Sequence, residues 1–253
     1  MAELIFYIII AILVFDYLLE RLLDYLNSTL WSNELPVELL SIYDGEKYRK
    51  SQDYTRTNTR FSIYSDTVSF IAMMLMLLLG GFAFVDDFVW SVSSNPILMS
   101  LMFFGILALA SDIIGLPFSV YGTFVIEEKF GFNRTTVRTF VLDKVKGLFL
   151  GALIGGGLLS LIVWIFMETG PWFWLIAWGV ITAFTLFMFM FYSNLIVPLF
   201  NKQKPLDEGP LRDAIEDFSA RVGFKLKNIY VIDGSKRSSK ANAYFTGLGA
   251  KKR

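Results

Sequence analysis

Long stretches without a single charged residue restrict this chain more than any other feature of its sequence. Residues 68–85, 147–167 and 169–201 contain no Asp, Glu, Lys or Arg. A helix needs about 20 mainly apolar residues to cross the hydrocarbon core of a bilayer. Charged residues make up 18% of the chain, whereas soluble domains average about 25%. These features predict an all-α polytopic membrane protein.

Five segments have the length and apolar character of transmembrane helices. We predict spans at about residues 4–23, 66–85, 96–116, 147–167 and 172–197, within a transmembrane region of residues 1–201. The first span is marginal, because its uncharged part covers only residues 4–15. It lacks the basic start and the small-residue cleavage site of a signal peptide, so we interpret it as a retained span.

The positions of Lys and Arg predict the orientation of the chain. Basic residues follow the first, third and fifth spans, whereas the connections after the second and fourth spans contain none. They are Lys47, Arg49, Lys50, Arg56 and Arg60, then Lys129, Arg134, Arg138, Lys144 and Lys146, then Lys202 and Lys204. Because basic connections stay in the cytoplasm, we expect the N-terminus outside and the C-terminal segment in the cytoplasm. The membrane would be a bacterial inner membrane or the endoplasmic reticulum.

Residues 202–253 differ in character from the spans before them. Apolar residues repeat there at helical spacing among charged ones, which indicates an amphipathic helix. These residues are Leu211, Ile215, Phe218 and Val222. Short strands are predicted at residues 228–232 and 241–246, each followed by a turn signal. One helix and two strands bury too little apolar surface to be stable alone, so we interpret this segment as the truncated start of a small α+β cytoplasmic domain.

Three acidic residues on the first span share one helix face. Asp16, Glu20 and Asp24 are spaced four residues apart. A charge at the middle of a span costs about 2.5–3.5 kcal/mol on insertion scales, so the stripe should face water or a basic partner. Three interpretations stay open: Glu20 and Asp24 lie at the membrane interface, the stripe lines a water-filled interior, or the carboxylates take part in chemistry. The same alternatives apply to Asp112 on the third span.

Two further patterns concern helix packing and the membrane surface. Gly147, Gly151 and Gly155 form a double G-x-x-x-G pattern, which is typical of close helix packing and has no catalytic content. Residues 121–133 predict a cytoplasmic loop that lies partly in the interface, with Phe and Ile side chains as its membrane contacts.

The sequence contains no histidine and no cysteine. Without Cys, neither a disulfide framework nor a thiolate site can form. Without His, the commonest metal ligand and the commonest general base at neutral pH are missing. We therefore assign no catalytic residue and no metal ligand to this chain.

Four sequence blocks occur in the order found in a known family of membrane proteases. The blocks are YGTFVIEEKFGFN at 121–133 with 134–136 and 139–140, residues 192–202 with 205–206 and 209, YVIDGSKRSS at 230–239, and NAYFTG at 242–247. On these blocks the chain resembles the CAAX prenyl protease 1 family of integral-membrane zinc metalloproteases. The first 110 residues resemble the family mainly in their pattern of spans.

The resemblance implies a barrel of transmembrane helices around a water-filled chamber, closed on its cytoplasmic side by a zinc site. It implies cleavage of hydrophobic peptides, including C-a-a-X termini that carry a prenyl group. Asn242, Ala243, Tyr244 and Phe245 resemble the edge strand of the active site, on which substrate binds as an additional strand. Backbone groups would hold the substrate there, so side-chain identity matters less. The expected partners are peptide or lipidated-peptide substrates, the bilayer and a C-terminal catalytic segment, but no nucleic acid.

The chain departs from the family pattern in two places. Family members often carry His where this sequence has Lys240, a position that is not a zinc ligand in the family. The H-E-x-x-H helix and its downstream Glu ligand should follow the edge strand, and they are missing from these residues. Because zinc hydrolysis needs three protein ligands and a general base, we expect this chain alone to be catalytically inactive.

Three functions are compatible with these features to different degrees. The favoured one is an N-terminal portion of the metalloprotease, left by truncation, proteolysis or a split polypeptide. The alternative is a non-catalytic membrane pseudo-protease that binds hydrophobic or lipidated peptides. A transporter or channel would explain the acidic stripe, but it predicts paired broken helices or internal repeats, and the sequence shows no repeat.

Overall fold

A computed structural model describes residues 1–37, 41, 44–224, 226 and 228–245. Helices dominate this part of the chain: α1 (Ala2–Thr29), α2 (Gly45–Leu78), α3 (Gly81–Val92), α4 (Pro96–Tyr121), α5 (Val137–Leu150), α6 (Gly156–Thr169), α7 (Phe173–Leu195), α8 (Val197–Phe200) and α9 (Pro210–Arg221). The strands β1 (Gln203–Pro205) and β2 (Tyr230–Ile232) pair antiparallel. Three helical stretches among these residues are long and apolar enough to cross a membrane: Gly45–Leu78, Pro96–Glu127 and Val137–Phe200.

The chain divides into two compact units. The first contains Met1–Ser94 and Met102–Gly131, and the second contains Asn95–Leu101 and the chain from Phe132 onward. Buried apolar side chains are few in both units, whereas many large apolar side chains are exposed. This distribution is expected where lipid rather than water covers the helices.

In the first unit, α1 packs against α2 through aromatic and hydroxyl side chains. The rings of Tyr17 and Phe70 stack with their centroids 4.2 Å apart. The hydroxyl groups of Tyr17 and Thr67 share a hydrogen bond of 2.8 Å. The predicted first span at residues 4–23 lies within α1.

The predicted second span at 66–85 is not one continuous helix. Helix α2 ends at Leu78, and α3 begins at Gly81. Between them Gly80 has φ +71°, a left-handed conformation that glycine adopts without steric cost and that ends an α-helix. The sequence pattern gives no sign of this break, because the residues on both sides of Gly80 are apolar.

The prediction of a loop at residues 121–133 is wrong for residues 121–129, whereas residues 130–133 lie outside the helix. The helix that begins with α4 continues through a π-helical turn at Gly122–Glu127 and ends near Lys129. Packing within the first unit favours the helix: the ring of Tyr121 stacks on Phe61 at 5.1 Å, and Ile126 is 3% exposed. The burial of Ile126 and the ring contact of Tyr121 outweigh the polar residues that suggested a loop.

In the second unit, α5 and α6 form one helical stretch with a π-helical turn at Gly151–Gly155. A tight connection at Gly170–Trp172 leads into α7, and Gly170 has φ +51°. The predicted fourth span at 147–167 lies within helical structure, and the fifth at 172–197 covers α7 and the first residue of α8.

The G-x-x-x-G pattern does not mark a close helix contact in this structure. Apart from the adjacent residues and the backbone of their own helix, no described residue lies within 4 Å of a Cβ built on Gly147, Gly151 or Gly155. The neighbouring Gly156, which the pattern does not include, faces Leu101 at 3.5 Å.

The segment after α8 is only partly as predicted. Helix α9 confirms the amphipathic helix, and β2 confirms the first predicted strand. Strand β1 was not predicted; it pairs with β2 in the register Gln203↔Ile232 and Pro205↔Tyr230. The second predicted strand, at 241–246, is not formed at 241–245, and Thr246 lies outside the described residues. An extended segment becomes a strand only with a hydrogen-bonding neighbour, and the described residues offer it none.

Candidate functional site

The predicted substrate residues form one exposed segment at the end of the described chain. Asn242 and Ala243 are exposed, and the side chains of Tyr244 and Phe245 are 55% and 68% exposed. The Asn242 Oδ1 atom accepts a hydrogen bond of 2.9 Å from the backbone N–H of Ala243. The Phe245 ring packs edge-on against Phe224 at 5.3 Å. The structure thus keeps the four residues together and accessible.

The residues just before this segment are fixed by backbone pairing. Asn133 and Ser238 form an antiparallel β-bridge. Beside it, the N–H of Ser239 donates to the carbonyl of Phe132 at 3.0 Å. Lys240 follows with its ammonium 4.6 Å from the centroid of the Phe132 ring. The chain that leads to the predicted substrate segment therefore runs along residues 132–133.

Arg237 is the centre of the polar contacts in this region. Its Nε and Nη2 atoms donate to the two carboxylate oxygens of Asp143 at 2.6 and 2.8 Å. Its Nη1 atom donates to Asn201 Oδ1 at 2.5 Å, and Nη2 also donates to the carbonyl of Phe200 at 2.9 Å. We call these four residues the Arg237 cluster. The hydrogen bond to Asp143 is the main cause that raises the pKa of the Arg237 guanidinium.

The position of each member follows from its helix. Asp143 is presented by α5, and Phe200 and Asn201 lie at the end of α8, where helix carbonyls lack intrahelical partners. Lys236 donates to the carbonyl of Phe200 at 2.8 Å, and Lys146 donates to that of Leu199 at 2.9 Å. Cations near a helix C-terminus are favoured by its dipole. Lys146 and Lys236 thus satisfy carbonyl groups at this helix end as well as carrying charge.

The acidic stripe of α1 finds a basic partner within the first unit. The Arg21 Nη2 atom lies 3.2 Å from Asp24 Oδ2, 3.7 Å from Glu20 Oε2 and 3.1 Å from Asp66 Oδ2 of α2. Its Nε and Nη1 atoms are buried and have no hydrogen-bond partner among the described residues. Asp16 is exposed and has no such contact with the described residues. Two of the three predicted acids therefore belong to an ion-pair network between α1 and α2.

The donor set does not fit a zinc ion. The sequence has neither His nor Cys, and zinc sites in proteins are built mainly from those two residue types. Across the described residues, no three Asp or Glu side chains come together in a group that could hold a metal. A catalytic zinc in this fold would therefore need ligands from another segment.

Sequence reasoning missed Asp143 and Asn201. One signal was present: Asp143 is the single acidic residue in α5, among Arg138, Lys144 and Lys146. An isolated carboxylate in a basic stretch beside an apolar span indicates a specific cationic partner. Nothing in the local sequence indicated that this partner is Arg237, which lies 94 residues from Asp143.

The sequence matches a family model over most of its length. The model is described as the CAAX prenyl protease N-terminal region with five membrane helices, and it matches residues 25–202. The chain belongs to the CAAX prenyl protease 1 family. The matched residues begin after the predicted first span and include the other four. Membership confirms the family resemblance and the assignment to multi-pass membrane proteins.

Curated CAAX prenyl proteases from distant organisms are similar to this chain. The homologue from Oryza sativa subsp. japonica is 35% identical over 97% of this chain and 60% of its own length. CAAX prenyl protease 1 from Saccharomyces cerevisiae is 35% identical over 92% of this chain and 53% of its own length. The Homo sapiens homologue is 35% identical over 96% and 54%, respectively. The chain thus spans between about half and three-fifths of these relatives.

A solved structure shares the fold. The crystal structure of S. mikatae Ste24p matches with a TM-score of 0.85 and 36% sequence identity. The match covers 94% of this chain and 57% of the Ste24p chain. The helical architecture described above is therefore that of a CAAX prenyl protease.

Proposed function

We propose that this chain is the membrane-embedded portion of a zinc metalloendopeptidase that cleaves C-a-a-X-type or other hydrophobic peptides inside a water-filled intramembrane chamber. The family membership carries this proposal, since the relatives over most of the chain are named CAAX prenyl proteases. Prenylated or other hydrophobic peptides would then be the substrates. The orientation proposed from the basic residues places the substrate segment in the cytoplasm.

We assign the alignment of substrate to residues Asn242–Phe245. Two observations support this role. The segment is exposed, and the residues before it are fixed by the Arg237 cluster and by the bridge between Asn133 and Ser238. A peptide that adds to a strand edge gains affinity from backbone hydrogen bonds, and such an edge must be held still to keep its register.

These 253 residues alone would not hydrolyse peptides. A catalytic zinc needs three protein ligands and an open position for water. The sequence offers no His and no Cys for this purpose, so the ligands must come from another segment. That segment would be the partner that completes the enzyme.

The test is to read the coding sequence beyond Arg253 and to compare three proteins in detergent: this chain, this chain extended by the residues that follow, and this chain joined to the C-terminal segment of Ste24p. A farnesylated C-a-a-X peptide is the probe. The proposal expects no cleavage by the chain alone. It expects zinc-dependent cleavage, abolished by a chelator, in at least one of the longer proteins.

A non-catalytic membrane protein that binds hydrophobic or lipidated peptides is the second candidate. The absence of His from these 253 residues favours it. If this candidate is correct, the farnesylated peptide will bind this chain, and neither this chain nor any of the longer proteins will cleave it. Cleavage by an extended protein would exclude it, whereas binding without cleavage would exclude the protease.

A further inference from the structure

We propose that a cleft at the end of α7 and α8 binds the phosphate headgroup of an anionic phospholipid. The cleft has a volume of about 580 Å³ and lies within the second unit. It is lined by Asn194, Pro198, Asn201, Lys202, Gln203, Lys204 and Tyr230. We call it the lysine cleft. It is separate from the predicted substrate segment at Asn242–Phe245.

The depth of the cleft in the membrane follows from the sequence around it. Residues 169–201 carry no charge, and Lys202 is the first charged residue after them. Helix α7 supplies the apolar part of this stretch. The first Lys beyond such a helix lies at the level of the lipid headgroups. The lysine cleft therefore opens where phosphate groups are the most abundant anions.

The charges of the cleft are not neutralised by the protein. Among the described residues, neither the Lys202 nor the Lys204 ammonium forms an ion pair or hydrogen bond. The carboxylate of Asp233 is close, but its Oδ1 atom accepts from the backbone N–H of Lys202 at 2.7 Å and its Oδ2 atom pairs with Lys236 at 3.4 Å. Lys202 and Lys204 both line the cleft and are exposed, and lysines without a protein counter-ion near the headgroups attract anionic lipid.

The amide side chains add directional donors to this charge. Asn201 uses its oxygen to accept from Arg237, so its amide NH₂ group remains as a donor. Gln203 donates to Ser193 Oγ at the long distance of 3.4 Å. Phosphate offers several acceptor oxygens to such donors, and charge-assisted bonds to them are strong.

Apolar side chains close in sequence to the cleft residues match the remainder of a lipid. Tyr192, Leu195 and Leu199 are each nearly half exposed near the same helix end. The acyl chains of a lipid whose headgroup occupies the cleft can pack against them, which a free phosphate cannot. This neighbourhood favours a phospholipid over a free anion as the occupant.

Native mass spectrometry of the purified chain in detergent is the direct test, with palmitoyl-oleoyl phosphatidylglycerol as probe and phosphatidylcholine as the neutral lipid. We expect one phosphatidylglycerol to be retained saturably, and the double variant K202Q/K204Q to bind it about tenfold more weakly. The single variant K204E, which tests the site if the double variant does not fold, should bind more weakly as well. Circular dichroism and thermal melting establish that each variant is folded.

The matched control removes the same charge elsewhere. Lys47 and Arg49 lie exposed in the first turns of α2, so K47Q/R49Q should keep phosphatidylglycerol binding unchanged. An equal loss of phosphatidylglycerol binding in both double variants would show that only the net charge of the chain matters, which would overturn the proposal. Unchanged binding in K202Q/K204Q would overturn it too. Displacement of the lipid by millimolar inorganic phosphate would show a free-anion site in place of a lipid site.

Discussion

The guanidinium of Arg237 holds the carboxylate of Asp143 through two parallel hydrogen bonds, of 2.6 Å from Nε and 2.8 Å from Nη2. Each side chain is 24% exposed. Bidentate Arg–carboxylate pairs of this kind are stronger and more specific in geometry than a Lys pair. Because Arg237 precedes the predicted substrate segment by only five residues, this pair fixes where that segment starts.

Replacing Asp143 with Asn should loosen the segment that follows Arg237. The substitution removes the charge and one of the two acceptors, and a hydrogen bond to a charged group contributes about 1.5–3 kcal/mol. Amide hydrogen exchange at Arg237, Ser238 and Ser239 should accelerate by at least tenfold. The control is Glu216→Gln, which weakens the exposed pair with Arg212 and should change stability by under about 0.5 kcal/mol. Equal exchange in the two variants would contradict the role of the pair.

Replacing Asp66 with Asn should weaken the packing of α1 on α2. Arg21 is 19% exposed and pairs with Asp66 at 3.1 Å, and the variant leaves part of its charge uncompensated. We expect a loss of about 1–2 kcal/mol, measured as a lower midpoint of thermal unfolding in detergent. Asp16→Asn on α1 changes an exposed side chain and should leave the midpoint within about 1 °C. A larger effect at Asp16 would show that the stripe has a role beyond Arg21.

Gly80→Ala should destabilise the break between α2 and α3. Its φ of +71° places a Cβ in the left-handed region, which costs about 1–2 kcal/mol for an L-residue. Gly179→Ala is the matched control, because Gly179 lies inside α7 and a Cβ there meets no atom within 4 Å. That variant should be neutral or slightly more stable, since alanine is the better helix former. Reversible denaturation of both variants measures the difference.

The start of α2 should loosen at low pH. Backbone N–H groups of Lys47 and Glu46 donate to Asp44, with the bond from Lys47 as the main cause, and they hold the pKa of Asp44 below its ordinary 3.8. Because the pKa of Asp44 is lowered in the folded state, the carboxylate makes its full contribution to the stability of the helix cap at any pH above its ordinary pKa. The contribution is lost as the pH falls through the lower, folded value.

Nuclear magnetic resonance shifts of Glu46 and Lys47 between pH 6 and pH 2 measure this loosening. Asp44→Asn is the control, because Asn caps a helix N-terminus equally well and does not titrate. The variant should show no pH-dependent fraying at these two residues. Fraying of the same size in both proteins would assign the effect to another group.

The proposed alignment of substrate by the backbone predicts a contrast at Ala243. In an extended protein with zinc-dependent activity, Ala243→Pro removes the backbone N–H that a β-strand contact uses and should lower kcat/KM by at least tenfold. Ala243→Ser keeps that N–H and should stay within about twofold, because side-chain identity matters little in strand addition. Equal rates for the two variants would place substrate alignment elsewhere.

The helices could be predicted from the sequence because apolar length is a local property. Residues 4–23, 96–116 and 147–167 each fall within helical structure. The break at Gly80 was missed because residues 68–85 are uniformly apolar, and a single left-handed residue leaves no trace in hydropathy. Strand β1 was missed for a different reason: Gln203, Lys204 and Pro205 have little strand propensity, and they form a strand through pairing with β2.

The candidate site was predictable only in part. The motif blocks pointed to residues 230–239 and 242–245, but not to the contacts that hold them. Arg237 meets Asp143 from 94 residues away, and long-range pairs of this kind depend on how the chain packs rather than on local pattern. The loop predicted at 121–133 failed at residues 121–129 for the same reason, since the burial of Ile126 and the stacking of Tyr121 depend on side chains of distant residues.

The π-helical turn at Gly151–Gly155 has a consequence for how the chain length can vary among members of this family. A π-helical turn holds one more residue than the α-helical turn it replaces. Deleting one residue there would restore a regular helix while α5 and α6 keep their rotational phase. Elsewhere in a span, a deletion of one residue would rotate everything beyond it by about 100°. Relatives that differ by one residue between Leu150 and Gly156 can therefore keep the same helix faces toward lipid.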